Sequence, residues 1–456
     1  MVNTKENPLG KEKINVLLRK FAIPSIVAML VSSLYNIVDQ IFIGRSVGML
    51  GNAATNVALP LSTICIAISL LCGIGGAANF NLSMGRGDQE RAKKYAGNTI
   101  SLSILLGILL CIIVIVFLEP LMRAFGATNE VLDYAMIYTH ITSFGFPFLI
   151  LTTSGSNLIR ADGSPTYSML CTLSGAIINT ILDPILIFGF DLGMQGAALA
   201  TIIGQFVSAM MVVKYLCNYK TVKLSIYSLK LSLKHCIKIV ALGATPGLNQ
   251  LAMMVVQVVL NNILIHYGAK SSYGSEIPLA VSGIISKVNM IYFAFVIGIS
   301  QGIQPISSFN YGAKKYDRVE EVYKKAVFVA TIISTIAFLA FQLFPRQIIS
   351  IFGSGSNEYF RFAQRYFHIF LFFTFVNGIQ PISSTFFTTI GKPVKGIFLS
   401  LTRQIIFLLP LILLLPLLFG IDGVMFAAPI ADFIAAALSI IFVRSEFKKF
   451  KLLSSN

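Results

Sequence analysis

The sequence predicts an all-α polytopic membrane protein: twelve transmembrane helices in two pseudo-symmetric six-helix bundles, both termini cytoplasmic. Three observations carry this expectation. First, 55% of the 456 residues are hydrophobic and only 12% are charged, where a soluble domain carries about 25% charged residues. Mean hydropathy is +0.79. Second, apolar stretches of spanning length recur along the chain. Third, the basic residues alternate between loops in the way membrane topology demands. Disorder, coiled coils and collagen-like fibres need different compositions and are excluded. Six cysteines in a chain of this length make no disulfide scaffold.

A spanning helix needs about 20 mostly apolar residues to cross the hydrocarbon. Stretches of that kind run near 21–43, 57–80, 98–118, 134–157, 167–188, 196–216, 239–265, 278–302, 326–344, 360–388, 396–417 and 423–443. The polar start holds Lys5, Lys11, Lys13, Arg19 and Lys20. The apolar run after it is too long for a signal-peptide core and shows no cleavage site, so it reads as retained. With these spans, 27 basic residues fall on the side of the termini and 6 on the other, while Lys287 and Arg403 fall inside spans. That asymmetry assigns the termini to the cytoplasm and requires an even number of helices.

The second half of the chain echoes the first. Gly85-Arg86-Gly87-Asp88-Gln89-Glu90-Arg91 after the second span matches Gly312-Ala313-Lys314-Lys315-Tyr316-Asp317-Arg318 after the eighth, at an offset of 227. Gly163-Ser164-Pro165 matches Gly391-Lys392-Pro393 at 228, and Pro24 pairs with Pro246 at 222, which sets Asp39 opposite Asn261. Near-constant offsets predict an N-lobe (1–218), a basic cytoplasmic linker (219–238) and a C-lobe (239–456). Two parallel-related bundles around a cleft are a frame for alternating access.

An ionised group inside a span needs a physical reason. Asp39, Asp183 and Asp432 lie inside spans, and Asp422 sits at a span edge. Tyr35 and Asn36 precede Asp39 by one helical turn and share its face. Asn179 stands one turn before Asp183, and Pro184 removes the bond to the Thr180 carbonyl. Carboxylate, amide and loosened carbonyl together make an oxygen-rich patch suited to a proton or to Na⁺ at Asp39 and Asp183. Asn157 and Thr201, on the fourth and sixth spans, complete it. The second half offers amides instead: Gln250, Gln257, Asn261 and Asn262 on the seventh span, Asn377 and Gln380 on the tenth. Its ionisable groups are Lys287, Arg403 and Asp432. Neutralisation of one cation by Asp432 is the plainer expectation; a substrate or gating role for Lys287 or Arg403 is the sharper one.

Other chemistry is missing from the sequence. There is no G-x-x-x-x-G-K-[ST] phosphate loop. Gly73-Ile74-Gly75-Gly76 sits in a span with no strand before it and reads as close helix packing. His140, His235, His266 and His368 match no metal spacing. The cysteines read as packing residues. An enzyme would need paired acids or a metal cluster at the membrane face, and Asp88 with Glu90 has no histidine near it in sequence.

On these motifs the chain resembles the multidrug and toxic compound extrusion (MATE) family of antiporters over essentially its whole length. The resemblance rests on the Pro24 to Asp39 span, the Gly85-to-Arg91 loop with its partner, the run Asn157 to Pro165, and the run Asn179 to Gly189. It implies two pseudo-symmetric lobes and export of cationic amphipathic compounds in exchange for H⁺ or Na⁺. In the prokaryotic subgroup with an N-lobe cation site, the coupling residues correspond to Asp39, Asn157, Asn179, Asp183 and Thr201. A second branch places carboxylates on the seventh and tenth helices; here those helices carry amides, which shifts the expected site to the N-lobe. The wider superfamily includes lipid-linked sugar flippases, so a lipid-linked or anionic metabolite is the alternative cargo.

The expectation is therefore a cation-driven exporter in the cell membrane, with no catalytic residues and no cofactor beyond the coupling ion. Its partners are small organic cations and membrane lipid, not nucleic acid, and it acts as a monomer. Bending or shifting of the first helix near Pro24 on ion binding is the expected motion. Tyr35, Asn36, Gln257, Asn261, Lys287, Asn377 and Arg403 are the candidate cavity or gating residues.

Overall fold

A computed structural model describes residues 7–352 and 355–454; Lys5 of the basic start lies outside them. Among the described residues all regular structure is helical. In chain order the units are α1 (Ile14–Ser46), α2 (Met49–Gly85), α3 (Gln89–Val116), α4 (Asn129–Ser143 with Phe146–Ala161), α5 (Pro165–Pro184) and α6 (Gly193–Cys217). The second set is α7 (Leu233–Ala269), α8 (Glu276–Gly312), α9 (Tyr316–Leu343), α10 (Asn357–Phe370 with Ile379–Thr389), α11 (Pro393–Phe419) and α12 (Ile421–Ser454). Ten are unbroken helices long and apolar enough to cross a membrane; α4 and α10 are bent pairs, by 52° and 40°, giving up to twelve spans.

The expected positions hold, but the helices outrun the apolar stretches. α1 begins at Ile14 and α12 continues to Ser454, because polar residues continue a helix beyond the hydrocarbon at no desolvation cost. The bends have local causes. In α4 the chain turns at Gly145, and Pro147 opens the second piece, where its missing N–H costs nothing. In α10 a single 3₁₀ turn at Thr374–Val376 separates the pieces.

The sequence repeat returns as a repeat of geometry. α2 and α8 both end in a turn with a left-handed residue, Gly87 (φ 81°) and Lys314 (φ 58°). Each turn is closed by a six-to-one bond, Asp88 N to Ser83 O at 3.0 Å and Lys315 N to Asn310 O at 2.9 Å. α4 and α10 end likewise at Gly163 (φ 86°) and Gly391 (φ 76°).

Helices α1–α6 pack mainly on one another, as do α7–α12, and the two sets meet through α1 with α8 and α2 with α7. All the tight approaches lie toward the face that carries the termini. A Cβ at Gly298 would sit 2.6 Å from the Ile26 Cα, and one at Gly302 would sit 2.6 Å from the Ala22 Cα. Gly75 and Gly243 lie against the backbone carbonyls of Ile239 and Leu71, with no room for a side chain. Toward the opposite face the seam opens: Gly283 on α8 has no neighbour within 4 Å of a built Cβ, and Asn36 on α1 is exposed. The connection after α6 folds back on the first set. Asp162 accepts from Tyr215 Oη (2.8 Å), Lys220 N (2.8 Å) and Thr221 N (3.0 Å), and Ser232 N donates to Asn98 Oδ1 at 2.7 Å.

Candidate functional site

Three helices of the first set bring polar groups to one buried point. Asp39 comes from α1, Asn179 and Asp183 from α5, and Thr201 from α6; all are buried, Asp183 completely. Spacing explains the α5 pair, since Asn179 and Asp183 are one turn apart. With its amide nitrogen toward the acid, Asn179 donates to Asp183 Oδ2 at 3.0 Å while its oxygen accepts from Thr201 N at 3.1 Å. Thr201 Oγ1 donates to Ala197 O at 3.0 Å. Pro184 closes α5, and a π-helical turn, Ile185–Gly189, follows directly. A proline that deletes one backbone bond shifts the helix register in this way.

The Asp39 and Asp183 carboxyls lie close enough to interact electrostatically. Two bare carboxylates at that separation repel in a low-dielectric setting, so a shared proton or a bound cation is what the geometry accommodates. Asp39 Oδ1 is buried with no hydrogen-bond partner. An orphaned carboxylate oxygen inside a bundle is costly unless something positive visits it. Tyr35 and Tyr138 lie near this cluster. A cavity of about 150 Å³ adjoins the cluster, lined by Ser32, Tyr35, Thr152, Asn179, Thr201 and Gln205 among others. Thr152 Oγ1 and Gln205 Oε1, both on that lining, lack partners of their own. Apolar groups such as Leu149 and Ala176 share that lining with the hydroxyls and amides.

Not every expected residue joins this cluster. Asn157 is buried on α4, yet it donates to Thr153 O at 2.9 Å and accepts from Arg160 Nη1 at 3.0 Å. No bond from it to Asp39 or Asp183 is among those described. Pro24 lies within an uninterrupted α1, in the stretch that packs on α8. Asn36 is exposed on the cleft side of α1, its amide turned back to Ser32 O at 2.7 Å.

Two residues escaped sequence reasoning. Tyr138 carries no motif, and its place near the cluster depends on the bend of α4; a tyrosine in mid-span was its only signal. Arg160, read in sequence as a loop cation, is buried at the end of α4 with its Nε unpartnered.

The second set is arranged otherwise. Arg403 Nε donates to Asp432 Oδ1 at 2.5 Å, Asn377 Nδ2 donates to Asp432 Oδ2 at 3.1 Å, and the Phe293 ring lies 5.9 Å from the guanidinium. Asp432 therefore neutralises Arg403, the plainer of the two expectations. Gln257 Nε2 donates to Asn261 Oδ1 at 2.9 Å, and Ser286 Oγ donates to Gln257 Oε1 at 3.5 Å. Lys287 is exposed, and no ion pair or hydrogen bond is described for it. It stands about three turns outward of Gly298 on the same face of α8. Counting outward equally from Gly298 and from Ile26 sets Lys287 level with Ile37, across the open part of the seam from Asn36. Gln257 and Asn261 lie about four and five turns beyond Gly243 on the corresponding face of α7.

Comparison with known proteins supplies a frame for this geometry. A family model described as MatE matches residues 24–185 and 247–414. The multidrug export protein MepA of Staphylococcus aureus (strain MSSA476) is 26% identical over 424 residues, covering 93% of this chain and 92% of that protein. MepA of Staphylococcus saprophyticus is 25% identical over 428 residues, with coverage of 93% and 92%. A solved structure described as the outward-facing conformation of a multidrug resistance MATE family transporter of the MOP superfamily superposes with a TM-score of 0.90 at 22% identity, covering 97% of this chain and 98% of its own. A MOP superfamily transporter from Pyrococcus furiosus, described as having a binding pocket of reversed polarity that suggests a different function, gives 0.90 at 23% identity, covering 97% and 98%. At such identities these two structures establish the fold.

Proposed function

The chain belongs to the MatE family of transporters, and from that premise we propose that it is a multidrug efflux antiporter driven by H⁺ or Na⁺ and exporting cationic amphipathic compounds by alternating access. The observation that carries this reading is the unpartnered Asp39 Oδ1 beside Asp183. A coupling ion satisfies that oxygen, and an organic cation drawn toward the same negative charge from the open seam competes with the ion for it. Competition for one anionic site couples export to ion entry without ATP. Asn179 and Thr201 hold Asp183 in place, Tyr35 and Tyr138 close the site, and Asn157 acts through the α4 contacts it makes with Arg160. Ion binding at Asp39 bends or shifts α1 near Pro24, where that helix packs on α8, and so reaches the seam.

In this reading the face carrying the termini is cytoplasmic, by the excess of basic residues there. The protein then lies in the cell membrane closed inward and open outward. Its working unit is a monomer: an N-lobe of 1–218, a linker of 219–238 and a C-lobe of 239–456. The linker is docked on the N-lobe as far as Ser232, through Asp162 and Asn98, so relative motion of the lobes is concentrated from the start of α7 onward. Purified protein in liposomes, under separately imposed Na⁺ and pH gradients, tests the proposal. Uptake of a fluorescent organic cation driven by one gradient, and lost in Asp39→Asn and Asp183→Asn at equal protein level, is the expected result. Wild-type coupled uptake in both variants overturns it.

One observation favours a second reading. Lys287 places an unpaired cation on the open seam, and an anionic or lipid-linked metabolite suits it. Arg403, being neutralised by Asp432, adds nothing to that case.

A further inference from the structure

A basic cluster outside the transport path lies on the face that carries the termini, where α3 and α7 begin side by side. A cavity of about 390 Å³ opens there, and four of its lining residues are Arg91, Lys94, Lys234 and Lys238. The first two stand on α3 and the last two in the first turns of α7, so the cavity lies where the two sets of helices meet. His235 lines it as well, its ring 5.0 Å from that of Tyr95 in an edge-on contact. Two acids, Asp88 and Glu90, share the lining, but both are engaged within α3. Asp88 Oδ1 accepts from Arg91 N at 2.9 Å as the helix cap, and Glu90 pairs with Lys93 at 2.5 Å. No ion pair is described for any of the four cations.

Their backbone is held firmly. Asn79 Nδ2 donates to Lys238 O at 3.0 Å across the seam, and Asn98 Oδ1 accepts from Ser232 N at 2.7 Å. Both helices also present their N-terminal ends to the same opening, adding partial positive charge and unpaired N–H groups. The pocket thus gathers four cations against two acids and keeps a net positive charge. We infer that this pocket is an anion site for a phosphate group, bridging the two lobes and stabilising the closed seam when filled. Lipid phosphate at the membrane surface and free phosphate in solution share the required chemistry: several oxygens, negative charge, and an affinity for clustered lysine and arginine.

The site binds without regard to cargo, and its test needs no transport. Full-length protein is placed in nanodiscs of phosphatidylcholine alone, of phosphatidylcholine with phosphatidylglycerol, and of phosphatidylcholine with inorganic phosphate added at constant ionic strength. Backbone hydrogen exchange is followed at residues 71–98 and 232–243. Slower exchange of both segments with phosphatidylglycerol only identifies a lipid headgroup; slowing with inorganic phosphate as well identifies a soluble anion. Lys234→Gln and Lys238→Gln each shift the dependence on phosphatidylglycerol or phosphate by about fivefold, as expected for one lysine near an anionic surface. Lys448→Gln with Lys449→Gln, elsewhere on the same face, leaves it unchanged. Exchange at residues 179–201 reports that each variant keeps its fold. Absence of slowing in the wild type, or undiminished slowing in both single variants, overturns the inference.

Discussion

The two halves share helix order, turn geometry and packing, yet they treat buried charge in opposite ways. The first half brings Asp39 against Asp183 and leaves one carboxylate oxygen unanswered. The second gives Asp432 two donors, Arg403 and Asn377, and so leaves nothing for an ion to do. Where α1 carries Asp39, the aligned position on α7 is Asn261, already bonded to Gln257. The duplicated scaffold thus carries two different polar arrangements, and the proposed function makes the first half the ion site and the second a passive wall.

The sharpest way to break this contrast is to neutralise the acids of one half and an amide of the other. Asp39→Asn or Asp183→Asn is expected to lower gradient-driven efflux about 100-fold, the upper range of a coupling free energy between two ligands. Asn261→Ala, its counterpart in the second half, is expected to stay near wild type. Equal losses in both halves, measured as initial uptake into liposomes, contradict the division of labour.

The second contrast concerns stability. Removing one partner of a buried ion pair strands the other, but Arg403 is only partly enclosed, so the cost is reduced from that of a fully buried pair. Arg403→Gln is expected to destabilise by about 2 kcal/mol, and Arg403→Gln with Asp432→Asn to recover most of that loss. Coupled efflux persists in the double variant. Thermal unfolding in detergent and liposome efflux, run on the same preparations, check both statements. If the double variant loses ion coupling while staying folded, the second half holds a working ion site after all.

A third contrast separates the closed end of the seam from the open end. Gly243 lies against the Leu71 carbonyl, whereas Gly283 faces empty space. Gly243→Val is expected to disfavour the closed seam by about 1.5 kcal/mol through overpacking, and Gly283→Val to leave the lobe equilibrium alone. Distances between spin labels placed across the face carrying the termini report the populations.

Much of this arrangement was readable before any coordinates. Asp39, Asn179, Asp183 and Thr201 stood out because polar groups inside apolar spans are rare, and helical spacing puts the α5 pair on one face. The repeat was legible because its turns require particular residues at particular φ. What stayed hidden depends on partners far away in sequence. Gly75 and Gly243 are ordinary span glycines until α2 is laid against α7, and Tyr138 comes near the cluster only because α4 bends at Gly145. Asn157 matched the pattern by type and position, yet its amide is taken by Arg160, whose burial no charge count reveals.

The smallest expected effect tests whether the open wall of the second half is passive or selective. Lys287 is exposed, so its charge is screened and exerts only a modest pull on a passing group. A rhodamine with a free carboxylate and its methyl ester present nearly the same apolar body with and without an anionic handle. Lys287→Gln is expected to shift the transport ratio toward the ester by about fivefold, with Lys287→Arg restoring it. Efflux of both dyes from the same liposomes supplies the ratio and cancels differences in protein amount. A ratio unmoved by Lys287→Gln leaves the acids of the first half as the sole electrostatic filter and removes the support for an anionic cargo. A shift larger than that of Asp39→Asn inverts the comparison, making the second half the selective wall and the first half the engine alone.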